Sequence, residues 1–145
     1  MGASCCQEDL MKTAEVDAYL HAKPGAEKDF KAEWEWWRYL VGGKMFAAEF
    51  TVGSEHKEPY RGRHLLTLKC DSTWAEALRS ELPDAVYPGF YMDKRNWISI
   101  DLDADVADGL LMELCDHSYG LVFSKLTKKS QREIVEAAGK AASGL

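Results

Sequence analysis

Val86–Asp101 reads VYPGFYMDKRNWISID. Pro88 fixes its own φ and pushes Tyr87 toward extended conformations, while Gly89 accepts a positive φ. The Tyr-Pro-Gly step therefore reads as a turn that aims the chain. From Trp97 onward apolar and polar residues alternate, with Ile98, Ile100 and Leu102 on one side and Ser99 and Asp101 on the other. That period of two predicts a half-buried strand. Between turn and strand, Lys94 and Arg95 sit on a connector flanked by Tyr91 and Trp97. The stretch predicts a strand that carries a short cationic, aromatic-flanked connector to the surface, and it contains no catalytic device.

Upstream, Phe30 to Val41 holds Trp34, Trp36, Trp37 and Tyr39, which favours a β-strand. Gly42-Gly43 is a two-residue hairpin signal, and Lys44 to Val52 returns as the partner strand. Phe46, Ala48, Phe50 and Val52 should share one face, with Met45 and Ala47 on the other. The tryptophans read as core and sheet-face packing, with a stacking platform for bases as the alternative. Residues 53–63 (GSEHKEPYRGR) form a polar loop in which Arg61 and Arg63 are candidate phosphate contacts. His64 to Cys70 is the next strand. Asp71 or Ser72 then caps a helix from about Thr73 to Leu82, with Trp74, Ala77 and Leu78 as its apolar stripe.

At the N-terminal end, Thr13 is placed to cap a helix from Ala14 to Ala22, stopped by Lys23-Pro24-Gly25. Residues 1–12 read as a poorly ordered extension, and the adjacent Cys5 and Cys6 as part of it. Downstream, Asp105 with Asp108 reads as a carboxylate capping box. Val106, Leu110, Leu111, Leu114, Cys115, Val122 and Leu126 recur at helical spacing, which predicts one long core helix. Residues 130–145 read as a C-terminal helical tail behind a domain spanning 13–129.

Four segments then stand in order: GGKMFAAEF (Gly42–Phe50), LTLKCD (Leu66–Asp71), YPGFYMDKRNW (Tyr87–Trp97) and SYGLVFSKLTKK (Ser118–Lys129). Together they resemble the MmcQ/YjbR family over roughly Thr13 to Lys129. The resemblance implies an α+β domain similar to the CyaY (frataxin-homologue) fold, an antiparallel sheet meander packed against helices. It also implies DNA binding, the label carried by members of that family, and makes Ser118-Tyr119 a packing and hydrogen-bonding signature.

Composition bounds the functional classes. The 145 residues, 46% apolar and 29% charged, suit one domain with its own core. No stretch has the length or apolarity of a membrane span, and no basic-then-apolar leader opens the chain, so the expected location is the cytoplasm. Cys5, Cys6, Cys70 and Cys115 show no paired spacing, which points to reduced thiols and, for the latter two, to core filling. No G-x-S-x-G, P-loop, dinucleotide fingerprint or CxxC pair occurs, so neither catalysis nor a cofactor is expected. Cys115 and His117, two apart on a helix, face different ways.

The net charge of −6 opposes indiscriminate binding to nucleic acid. The charges are nevertheless segregated. Residues 101–116 hold six acids and no base, whereas residues 125–132 hold Lys125, Lys128, Lys129 and Arg132 and no acid. If the helix continues through Thr127, near which many relatives of that family carry Pro, these four bases share a face at i, i+3, i+4 and i+7. With Lys94 and Arg95 they form the candidate nucleic-acid surface, and Tyr91 and Trp97 are candidates for base stacking. The rival reading is a protein-interaction or homodimerising module in which these bases only solubilise. A weaker alternative is a hard-cation site on the acids around Asp103 and Asp105.

Overall fold

Gly42 and Gly43 both adopt positive φ, 58° and 78°, as a type I′ turn requires and as glycine alone does without steric cost. The computed structural model describes residues 13–143. There the turn joins β2 (Trp36–Val41) to β3 (Lys44–Thr51). β1 (Ala26–Lys31) pairs with the outer side of β2, and β4 (His64–Lys69) with β3. The quoted stretch closes the sheet as a hairpin, β5 (Val86–Pro88) and β6 (Trp97–Asp101), with β6 inserted next to β4. The order is β1-β2-β3-β4-β6-β5, antiparallel throughout. The helices are α1 (13–21), α2 (Ser72–Glu81), α3 (Asp108–Ser124) and α4 (Lys128–Ser143). This is the α+β class and antiparallel sheet that the sequence predicts.

The main core lies between one sheet face and the helices. Val16 and Leu20 of α1 and Leu111, Leu114 and Val122 of α3 meet Tyr39, Leu66, Leu68, Ile98 and Ile100. Each such side chain contributes roughly 1.5–3 kcal/mol by leaving water. The opposite face carries its own cluster of Trp36, Ala48, Phe50, Val52, Leu65 and Phe90. Consequently β6 is not half-buried. Ser99 and Asp101 are buried as well, because Ser99 meets the Thr67 hydroxyl at 2.8 Å and the Arg63 guanidinium reaches Asp101 at 2.6 Å.

A register shift separates Tyr39, opposite Ala47, from Leu40, opposite Met45, leaving Phe46 as the extra residue of a bulge. The strict alternation predicted for β3 therefore fails. Phe46 and Ala47 both enter the main core, and Met45 joins Ala48 and Phe50 on the other face. One residue past the last β3–β4 pair, Ala47 with Leu68, the Ser118 hydroxyl of α3 takes over the ladder. It accepts from the Lys69 N–H at 2.9 Å and donates to the Phe46 carbonyl. Beside it, His117 Nε2 accepts from the Asp71 N–H at 3.0 Å, and Asp71 caps α2 as predicted.

Other boundaries differ from the sequence reading. The strand expected over Phe30–Val41 is two strands, split by a turn at residues 32–35 in which Glu35 takes a positive φ. Ala75, not Ala77, is the buried partner of Leu78 in α2. Thr13 already lies within α1. Ala107, without a side-chain oxygen, stands at the cap of α3 in place of Asp105. The long helix does not run on. Thr127 Oγ1 accepts from the Ser130 N–H at 3.1 Å and starts α4, while Gln131 Nε2 donates to the Phe123 and Leu126 carbonyls at 3.2 and 3.0 Å. Proline is not needed for the break. Residues 1–12, with Cys5 and Cys6, lie outside the described residues.

Ser118→Ala removes one hydroxyl and leaves the buried Phe46 carbonyl and the half-buried Lys69 N–H without it. It should lower unfolding free energy by about 2–4 kcal/mol in urea denaturation, whereas Ser124→Ala, at an exposed hydroxyl on the same helix, should change it by less than about 1 kcal/mol.

An aromatic groove and a basic corner

On the face away from α1 and α3, the chain between β3 and β4 folds over the second cluster. Its loop is fastened by the Val52 and Arg63 backbones at 2.9 Å and by the Tyr60 hydroxyl, which donates to the Pro88 carbonyl at 2.8 Å. The β5–β6 connector is fixed from the other side, where the Phe90 N–H donates to Ser99 Oγ at 2.9 Å. Between these two loops and the β1–β2 turn lies a groove of about 980 Å³. Its floor is a pile of rings. Trp36 stacks on Phe50 at 4.3 Å and 6°, and Phe90 follows at 5.7 Å from Phe50. Trp34 (54% exposed) and Tyr91 (72% exposed) stand at its margins, 5.3 Å from Trp36 and 4.5 Å from Phe90. Glu35 and Tyr91, each with φ of 58°, are the two non-glycine residues in the left-handed region among those described, and both line this groove. Backbone strain of that kind concentrates where a surface is shaped for a task.

The rim is acidic. Glu33, Glu35 and Glu55 line the groove, and its one guanidinium, Arg38, is held by Asp29 through bonds of 2.9 and 2.6 Å. Sequence reasoning read the tryptophans as packing and did not assemble this site. Trp36 is buried in the cluster, whereas Trp34 meets it edge-on and keeps about half its surface exposed. The signal available was the Trp34–Trp36 spacing of two across a turn, which puts one ring in the sheet and the other at its lip.

The predicted cations fall into two groups that the fold keeps apart. Lys94 donates to the Gly89 carbonyl at 2.7 Å and lies 5.3 Å over the Tyr60 ring, and burial holds its ammonium below the ordinary lysine value. Arg95 is exposed beside it, and Trp97 is half-buried at the start of β6. Lys125, Lys128, Lys129 and Arg132 occupy the α3–α4 corner, where Leu126 abuts Gly42 and Ile134 abuts Gly25. That corner lies on the helix-bearing face near β1 to β3; Lys94 lies on the other face, at the β5–β6 edge. Because the helix breaks, the four bases are not on one continuous helical face. Lys128 and Arg132 flank a shallow cleft with Phe123, Val135 and the carboxylate-bearing Glu136, and Lys129 is exposed alongside. Lys128 and Lys129 stand in the first turn of α4, where the helix dipole favours anions rather than cations.

Neither cysteine among the described residues is a poised nucleophile. Burial pushes the Cys70 thiol up to about 11 and Cys115 up to about 12, so neither forms thiolate at neutral pH. Among the described residues, no three His, Cys, Asp or Glu side chains group so as to hold a metal ion, the acids around Asp103 and Asp105 included. Arg63, a candidate phosphate contact, is committed to Asp101. His64 Nε2 meets Glu49 Oε2 at 3.0 Å.

Fold and site together define an open-sheet α+β domain with helices on one face and a ligand-sized aromatic groove on the other. The chain belongs to the YjbR family, whose model matches residues 21–121. It is 28% identical to YjbR of Escherichia coli K12 over 126 residues, covering 87% of this chain and 99% of that one. YbdF of Escherichia coli O157:H7 is 29% identical over 96 residues, covering 66% and 71%. The crystal structure of Deinococcus radiodurans DR2400, a DUF419 protein, matches with a TM-score of 0.70 at 28% identity, covering 84% of this chain and 86% of that one. A Pseudomonas syringae structure at 18% identity shares the fold, with a TM-score of 0.61 over 76% of this chain and 97% of that one.

The hydrogen bond to the Glu49 carboxylate, opposed by partial burial, raises the pKa of His64 above its ordinary value. The pair's stabilisation is therefore full below the unfolded value of about 6.5 and is lost as pH rises through the higher folded value. Denaturation of the protein and of His64→Gln should differ by about 1 kcal/mol at pH 6 and converge by about pH 9.

Proposed function

We propose that this protein works by binding rather than by catalysis, and that it binds DNA through phosphate contacts at the α3–α4 corner. Lys125, Lys128, Lys129 and Arg132 are its principal contacts; Arg95 is a separate, minor one, and Lys94 is restrained by Gly89 and Tyr60. One observation carries the reading. No carboxylate among the described residues lies within ion-pair reach of the four corner cations, whereas Lys23, Lys28, Lys31, Arg38 and Arg63 are each paired with an acid. Unpaired cations retain their counterions, and releasing these to a polyanion drives association. With an acidic chain overall, such binding is weak and largely independent of base sequence.

No helix among the described residues is long and apolar enough to cross a membrane. Together with the buried free thiols of Cys70 and Cys115, this supports a cytoplasmic setting. A homodimerising or protein-docking module is the second reading. It is favoured by Phe30 and Trp37, exposed to 47% and 42% with their rings 4.8 Å apart on neighbouring strands.

Fluorescence anisotropy with a labelled duplex should show saturable binding whose log affinity falls against log salt with a slope of roughly −3 for three to four phosphates. Lys128→Glu with Lys129→Glu should abolish it, and Lys94→Gln should leave it nearly unchanged. Binding absent at low salt, or untouched by the double change, refutes the reading. Sedimentation that shows a dimer broken by Trp37→Ala, with no DNA binding, establishes the rival.

A further inference from the structure

We propose that the aromatic groove on the outer sheet face is a binding site for a small organic cation, an amine with an aromatic or apolar body. The volume of about 980 Å³ suits a small molecule rather than a macromolecular surface. The buried rings of Trp36, Phe50 and Phe90 offer an apolar floor, and the exposed Trp34 and Tyr91 offer ring faces at the margins. An aromatic face carries a negative quadrupole and attracts ammonium groups, tryptophan most strongly. The protein already uses this attraction beside the groove, since the ammonium of Lys31, a residue outside the lining, sits 5.4 Å over the Trp34 ring while bonded to Glu33 at 3.0 Å.

Charge selects the occupant. Three carboxylates line the groove with one guanidinium and the His56 imidazole. Glu33 is matched by Lys31 and Arg38 by Asp29, partners outside the lining, which leaves Glu35 and Glu55, the latter 3.6 Å from His56, as the carboxylates that face an occupant. Glu35 has no basic side chain within ion-pair reach among the described residues. It projects from a residue held at positive φ, so its place at the rim is set by the turn rather than left to a mobile chain. An anion would enter against these carboxylates; a neutral ligand would gain only from the floor. A cation gains from both. The groove thus recognises charge opposite to that of the DNA phosphates assigned to the α3–α4 corner, and the two sites stand or fall separately.

The test is a titration of isotopically labelled protein, followed by amide and indole N–H shifts, with three probes of one shape. Phenethylammonium is the cation, 2-phenylethanol the neutral analogue and phenylacetate the anion. Saturable shifts are expected at Trp34, Trp36 and Tyr91, with phenethylammonium bound roughly tenfold tighter than the alcohol and phenylacetate weakest. Glu35→Gln combined with Glu55→Gln should bring cation and alcohol to within about threefold of each other while sparing alcohol binding. Trp34→Ala, at a ring that is 54% exposed, should weaken the cation about fivefold and leave duplex binding unchanged. The proposal is overturned by equal affinity for cation and alcohol, by preference for phenylacetate, by shifts that map elsewhere, or by no saturation below about 20 mM, the limit expected of so small a probe.

Discussion

A single hydroxyl inserted between two strands holds this architecture in register. Where β3 bulges at Phe46, its carbonyl loses its place in the β3–β4 ladder, and Ser118 of α3 supplies both missing halves of the exchange. A helix facing a sheet ordinarily contributes only apolar contacts, which tolerate sliding. Here the contact is directional and buried, so it fixes the height of α3 on the sheet to a hydrogen-bond length. The neighbouring His117 then sets the β4–α2 connection, and Trp74 packs edge-on to that imidazole at 4.8 Å. α3 and the entry to α2 are thus referenced to one stretch of the sheet.

That arrangement frees the opposite face. With α1 and α3 both on one side, the other face of the sheet is covered, among the described residues, by loops, and these cover it incompletely. The β3–β4 loop and the β5–β6 connector are tied by backbone bonds and by Tyr60, and the groove stays open between them and Trp34. Among the described residues, the groove is the part of that sheet face which these loops leave open. Its acidic lip and the basic α3–α4 corner lie on opposite sides of the domain, so an acidic protein presents two surfaces of contrasting sign.

Much of the fold was legible in the sequence because the determinants were local. Gly42-Gly43, Asp71 before a helix and the Ile98–Ile100–Leu102 alternation each specify structure within a few residues. The failures are non-local. Nothing within β3 announces a bulge whose partner lies more than 70 residues away in α3. Ser99 looks like a solvent-facing strand position until Thr67 and Phe90 are brought beside it. At the α3–α4 junction, helical spacing alone favoured continuity, and the competing cap from Thr127 to Ser130 won with help from Gln131. The basic corner was visible as a charge run; its separation from Lys94 depends on strand order, which no local pattern encodes. The groove was hidden for the same reason, since its rings come from three parts of the chain.

The short outermost strand β5 has a bearing on solubility. An open sheet has two edges, and each is a template onto which a stray chain can polymerise. β5 spans three residues and ends on Pro88, which has no N–H to offer an incoming strand. At the far edge, β1 alternates Glu27, Lys28, Asp29 and Lys31 along its length. One border is blunted by a missing donor and the other by charge, so this sheet can stay open without seeding fibres.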